Sequence, residues 1–456
     1  MKYITYILSV LLLTSCETPF FSSPEKYETP FEKKDGLKSS FYEEVIDYYK
    51  ELSQDFASIS FKTMDQTDNG QPLHLVIYSP DAEFNLNKYR KERTIIFINN
   101  GIHGNEPDGV DATMLLFRNL AQNEIKLSGN VMVVTIPVYN IGGMQENRKK
   151  SATHYDLDSD FVKMDVENTF SFAKIFQEVQ PDIFIDNQVS RKEEYQYTLS
   201  YSFSDKQNLG SFLSGYIDNV LEPHLADTLL NRSDIFKKDT LHKPFRHLIV
   251  DETICRANNS IGYASLWNCI GIRLKTHIFQ SYKQRVEANY ETMKTIIEVA
   301  DADNEYIKQL KIKQAQANAS LTAPEYYIIP KAWKQVIARL NAHNIEMKEL
   351  AKDTLMNVNY YQIDDFKTIA HPFEGHYLHF DTQVSNHKEK MQFYKGDYMI
   401  PSSQFAKRYL IETLEPTAPD SFFNWNFFDS IFGEEVQEKD KIIYPIYRFT
   451  EKNNLK

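Results

Sequence analysis

No apolar run inside the chain reaches the roughly 18 residues that a membrane-spanning helix requires, no segment repeats at a fixed period, and no stretch is biased enough to be low-complexity. Positive charge is also in short supply: the formal net charge is −12, which argues against a nucleic-acid binder, since gripping phosphates needs a cationic face. Cysteine is scarce, with three in 456 residues, and this excludes a disulfide-stapled scaffold. What remains, with hydrophobic residues at 42% and charged residues at 25%, is an ordinary globular composition, too long for one small core.

The one short apolar run stands at the start. Lys2 precedes Ile4 to Leu13, and Leu13–Thr14–Ser15–Cys16 follows, which fits a secretory signal. Its ending resembles the lipobox of bacterial lipoproteins. That resemblance implies a signal peptide over 1–16, lipidation of Cys16 as the first mature residue, a polar tether over 17–36, and a location in the bacterial cell envelope, anchored to a membrane by lipid. A plain signal peptide or a short anchor is the other reading. Cys255 and Cys269 then remain as an even pair, for which a disulfide is one outcome.

From residue 37 to about 320, strand-like and helix-like segments alternate. Residues 73–79, 94–99, 131–138, 182–188, 197–203 and 270–279 are short and rich in β-branched side chains. Residues 108–123, 164–180, 207–230 and the long polar stretch 281–318 carry helical spacing, the first with Asp108 as its cap. This alternation predicts an α/β fold, a mixed sheet flanked by helices, with ligands beyond the carboxyl ends of the strands. "LTAPE" (321–325) reads as a linker, and 323–456 as a smaller C-terminal α+β domain whose aromatic ending, 420–432, packs against a core.

The chemistry should lie in "TIIFINNGIHGNEPDG", residues 94–109, where a strand runs into a loop carrying His103 and Glu106. Together with "VYNIGG", "YQYTLSY", "YKQRV", "YIIPKAW", "EGHY" and "RYLIETLEPTAPDSFFNWNFFD", this stretch resembles the zinc carboxypeptidases of the carboxypeptidase A type, in a form found in cell-envelope lipoproteins. The resemblance runs from about residue 60 to the end. It implies that His103 and Glu106 are metal ligands, and that Arg148 in "ENRKK" steadies an oxyanion; a solvated basic turn with Lys149 and Lys150 is the equal alternative. The family's third ligand, a histidine, is replaced by Gln188, a poor zinc donor. Its carboxylate-clamping Asn-Arg pair is replaced by Asp158 and Ser159, and its general-base glutamate by Lys275.

These replacements imply that zinc is bound weakly or not at all, and that Lys275 takes the metal's electrostatic place by pairing with Glu106. Asp186 shares a strand face with Gln188, and His277 shares one with Lys275. His154 reads as a lone loop histidine, and Glu374, His376 and His379 as structural members of the second domain. Two functions stay open: a catalytically impaired envelope protein that binds or scaffolds a peptide or peptidoglycan-derived ligand, and an active metallocarboxypeptidase or amidase with altered ligands.

Overall fold

The computed structural model describes residues 27–191, 197–232, 245–247, 256–433 and 441–450. The signal, Cys16 and Cys255 lie outside them. Among the described residues, fourteen strands form two sheets. The first contains β1 (Ile59–Gln66), β2 (Pro72–Tyr78), β3 (Thr94–Asn100), β4 (Val131–Ile136), β5 (Ile183–Ser190), β6 (Leu199–Phe203), β7 (Phe245–His247) and β8 (Ile270–His277), in the order β1-β2-β4-β3-β5-β8-β6-β7. Strands β4, β3, β5 and β8 run parallel, while β2 and β6 join them antiparallel. β3, β4 and β5 are buried almost end to end, because helices cover both faces and a strand with no wet side needs no polar alternation.

On one face Phe97 and Phe184 meet Phe172 and Phe176 of the helix Glu167–Val179 and, through them, Tyr263 of the helix Ser260–Ser265. On the other, Met293 of the helix Tyr282–Ala302 lies against Asn187 and against Thr113 of the helix Asp108–Ala121. The predicted mixed α/β sheet flanked by helices is therefore present.

Several elements differ from expectation. Asp108 does not cap its helix: it occupies the first helical position, and its buried carboxylate accepts from Thr276 and pairs with Arg285 at 3.2 Å. The helix expected over 207–230 is broken by Gly210, at φ 90°, and shifts to a π turn over Ile217–Leu221, ahead of Pro223, which lacks the amide hydrogen an α-helix would use. The stretch 281–318 divides into Tyr282–Ala302 and Asn304–Ala319. Residues 27–36 are packed rather than tether-like: Phe31 is buried, and Glu32 pairs with the buried Arg118 at 2.5 Å. The thiol of Cys269 is free and buried.

The second sheet holds β9 (Tyr326–Ile329), β10 (Lys348–Glu349), β11 (Thr354–Thr368), β12 (His379–Phe393), β13 (Tyr398–Pro401) and β14 (Tyr447–Phe449), in the order β10-β13-β9-β14-β11-β12. Its helices Lys334–Ala342 and Lys407–Leu414 face the first sheet's helices, and the apolar core continues between them. Trp267, His343 and Tyr409 stack there, with ring centroids 4.2 to 5.7 Å apart. The aromatic ending does pack as expected: Phe422, Phe423, Trp425 and Phe428 are buried.

Candidate functional site

β3 ends at Asn100, and the chain turns at Gly101, whose φ of 63° suits glycine. The loop that follows is pressed against the "NIGG" loop after β4. A Cβ on Gly104 would stand 2.0 Å from the carbonyl carbon of Gly143, so only glycine fits there. Asn140 fastens the two loops, its side-chain amide donating to the carbonyls of Ile102 (3.3 Å) and Lys149 (3.0 Å). His103 and Glu106 are thereby fixed, both buried, just beyond the strand ends.

His103 has a carboxylate on each ring nitrogen. Nδ1 lies 3.0 Å from Glu106 Oε1, and Nε2 lies 3.0 Å from Asp156 Oδ1. Burial by itself would lower the pKa of His103, but the hydrogen bonds and charges of Asp156 and Glu106 outweigh it and raise the value to about 9. His103 is thus flanked by two carboxylates, hydrogen-bonded to Asp156 through Nε2 and within ion-pair distance of Glu106 through Nδ1. Glu106 uses its other oxygen to accept the amide of Val189 at 3.0 Å. Asp156, which burial would push up, is held far below the carboxylate range by His103 and Lys149; Lys149 Nζ lies 2.6 Å from Oδ2. From the second sheet's connecting loop, Glu374 accepts the Asp156 amide at 3.0 Å and pairs with Lys150 at 3.2 Å.

A second network lies on the same face of the sheet. Parallel register places Asp186 beside Arg273 and Gln188 beside Lys275. Gln188 Nε2 donates to Asp186 Oδ2 at 2.7 Å, so the amide is turned onto its own strand. Arg273 Nη2 donates to Asp158 Oδ1 (2.6 Å) and Ser260 Oγ (2.8 Å), and Ser260 Oγ donates to Asp186 Oδ2 (2.6 Å). Burial pushes the Asp186 carboxyl above its usual range; Arg273 works against this and Asp158 adds to it.

Lys275 corrects an expectation. It makes no ion pair with Glu106 or with any other described residue; the Glu106 oxygens meet His103 and the Val189 amide instead. Burial, and then the neighbouring Arg273 charge, lower its pKa, while Asp158, Glu106 and Asp186 attract the ammonium from beyond contact.

Arg148 spends its guanidinium within its own loop, on Glu146 (3.1 Å), the Ala152 carbonyl (3.1 Å) and His154 (3.3 Å). His277 packs its ring on Phe279 at 5.2 Å. His376 lies 2.8 Å from Asp165 and so ties the second part to the first, while His379 lies 3.0 Å from Asp429 within the second part. Ser159 opens onto a cavity of about 420 Å³ between the two parts, walled also by Asn258, Asn259, Ile369, Leu378 and Trp425. A neighbouring cavity of about 580 Å³ shares Arg256, Ile369 and Leu378 with it. These volumes suit a small ligand.

The residues do not fit a zinc ion. Among the described residues no group of three or more His, Cys, Asp or Glu side chains is arranged to hold a metal. Both ring nitrogens of His103 face carboxylates, and the Gln188 amide is turned to Asp186. Sequence reasoning missed Asp156 and Arg273 as members of the site. Arg273 was signalled by its position two residues before Lys275 on one strand face; Asp156 carried no such local signal.

No family model matches the chain. Its curated relatives are carboxypeptidases: Carboxypeptidase 2 of Trichophyton tonsurans and of Trichophyton equinum are each 19% identical over 508 aligned positions, covering 95% of this chain and 91% of the relative. Among solved structures, carboxypeptidase A from Helicoverpa armigera aligns with 14% identity and a TM-score of 0.46, over 59% of this chain and 75% of that one. A metallo-carboxypeptidase from Pseudomonas aeruginosa aligns with 12% identity and a TM-score of 0.46, over 59% and 70%.

Proposed function

We propose that this chain is a non-hydrolytic, carboxypeptidase-like protein of the bacterial cell envelope, tethered by lipid on Cys16, whose cavity beside Ser159, between the two parts, binds a peptide or peptidoglycan-derived ligand. The observation that carries this reading is the setting of His103, whose two ring nitrogens each face a carboxylate 3.0 Å away, Glu106 and Asp156, so that the histidine is engaged within the protein. Three further features support it. Gln188 brings no charge and faces Asp186. Asp158 and Ser159 stand where a clamp for a terminal carboxylate would need cations, and Asp158 already holds Arg273. Lys275 puts an amine, not a carboxylate, where proton abstraction would need a base.

Binding, by contrast, needs only a shaped and partly apolar recess, and the cavity bounded by Ser159, Leu378 and Trp425 supplies one. The second reading, an active metallocarboxypeptidase or amidase, draws its support from the names of the fungal relatives.

One experiment separates the two. The purified full-length protein is equilibrated with zinc, washed, analysed for metal, and assayed on N-blocked dipeptides and on peptidoglycan stem peptides. The expected result is zinc well below one per chain and no chelator-sensitive release of C-terminal residues. Stoichiometric zinc together with chelator-sensitive hydrolysis would replace the binding reading with the enzymatic one.

A further inference from the structure

The three most exposed large apolar side chains among the described residues are Leu37 (75%), Phe41 (70%) and Phe279 (68%). They come from two segments far apart in sequence that meet on one side of the molecule. Gly36, next to Leu37, lies against Lys283, where an added Cβ would stand 3.1 Å from the Lys283 Cβ. Ser40, next to Phe41, donates to Asp111 at 2.5 Å, and Tyr282 donates to the same carboxylate. Phe31 packs on the Tyr282 ring with centroids 5.7 Å apart, and Phe279 precedes that tyrosine by three residues.

Lysines rim this face. Lys33, Lys34 and Lys38 alternate with the apolar residues, opposed within 33–41 only by Asp35, in a chain whose net charge is −12. Lys34 is placed 4.8 Å over the Phe41 ring and pairs with Glu44 at 2.6 Å; Lys283 is 3.9 Å from Glu287. Scattered apolar side chains on a surface need no explanation, but three on adjoining segments, with lysines interspersed, have the composition of a surface that lies in a lipid interface.

The position of the tether favours a bilayer as the partner. Tyr27 is already anchored in the fold: its carbonyl accepts from Tyr48 of the helix Tyr42–Asp55, the helix that starts directly after Phe41. Ten residues, 17–26, separate Cys16 from Tyr27, and ten extended residues reach at most about 35 Å. A folded chain of this size has a radius of gyration of about 22 Å, so a lipid on Cys16 holds the N-terminal side of the protein close to the membrane.

We propose that this face docks on the bilayer surface, with Leu37, Phe41 and Phe279 entering the interfacial layer and the lysines meeting anionic headgroups. Docking rests on the lipid-tether reading above and goes beyond it, because it assigns one orientation to a protein that a tether alone would leave free to turn.

The test places single tryptophans in the full-length, membrane-extracted protein, as Phe41→Trp, Phe279→Trp and, on the second sheet's surface, Tyr394→Trp. Each variant is reconstituted into vesicles of phosphatidylethanolamine and phosphatidylglycerol with and without brominated acyl chains. Of the three native tryptophans, Trp267 and Trp425 are buried and Trp333 is partly buried, and the wild-type protein measured in the same vesicles supplies the background to subtract. Docking gives blue-shifted, bromine-quenched emission at positions 41 and 279 and none at 394. Vesicle-bound protein with no quenching at 41 and 279, or equal quenching at all three, overturns docking and leaves the tether standing. Protein that does not co-sediment with vesicles overturns the tether and docking with it. A blue shift at 41 and 279 that appears without lipid, in a protein that sizes as a dimer, assigns the face to a second copy instead.

Discussion

Removing the guanidinium of Arg273 should be among the most damaging single changes at this site. Arg273 is buried on β8, 2.6 Å from Asp158, 2.8 Å from Ser260 and 3.5 Å from Asp186. Arg273→Met keeps most of the apolar stem and leaves two carboxylates facing each other in a low-dielectric interior. Breaking a buried ion pair from one side costs about 3–5 kcal/mol, and we expect about 4 kcal/mol at pH 8.

The pH dependence follows from Asp186. Burial already holds its carboxyl above the usual range, and loss of Arg273 removes the charge that opposes this. Between the unfolded and the raised folded pKa, the native state binds more protons than the unfolded one, so stability falls as pH rises through that window. The deficit of Arg273→Met relative to wild type should therefore be smaller at pH 5 than at pH 8. Urea denaturation of both proteins at the two pH values measures this directly. Lys275→Met is the control: with no ion pair to break, it should change stability by less than about 1 kcal/mol. An Arg273→Met variant within about 1 kcal/mol of wild type at both pH values, or one worse at pH 5, would refute the network.

His103 gives a change of opposite sense. Its pKa is raised from 6.5 to about 9, so it contributes stability on the order of 3 kcal/mol that is fully present below pH 6.5 and lost as pH rises through about 9. His103→Gln should flatten the wild-type decline between pH 7 and pH 10 in denaturant titrations, and an unchanged slope would count against the imidazolium. Excess chelator should leave the thermal midpoint of the wild type where it is; a clear fall, reversed by zinc, would show a metal site. In the second part, His376→Leu removes the tie to Asp165, which also receives Lys163 and Arg339, and should cost about 1–3 kcal/mol, visible as faster proteolysis within 354–393. Trp425, buried beside His376, should cost about 3–5 kcal/mol as Trp425→Ala; a loss under about 1 kcal/mol would mean that the aromatic ending packs less tightly than its burial indicates.

The sequence by itself determined where the main elements of the first sheet run and which loop carries the site. "TIIFINN" becomes β3 because β-branched residues buried on both faces have few alternatives to a central strand, and the glycines after it mark the turn and the close approach to the "NIGG" loop. Period-two spacing also put Asp186 with Gln188 on one face, as their hydrogen bond shows. Its weaker points were local as well: Gly210 and Pro223 were visible signs that 207–230 would not be one helix.

Only the tertiary structure decided the ionic partners. His103 meets Asp156 across 53 residues, Glu106 meets the Val189 amide across 83, and Arg273 meets Asp158 across 115. Sequence put Lys275 and Glu106 in one pocket, and they do sense one another, yet the pair did not form, and Glu106 is engaged by His103 and the Val189 amide instead. Residue types and strand faces are set within a few residues of chain. Which buried charge satisfies which is a competition among donors that the fold brings together, and the desolvation cost of leaving any one of them unpaired settles it.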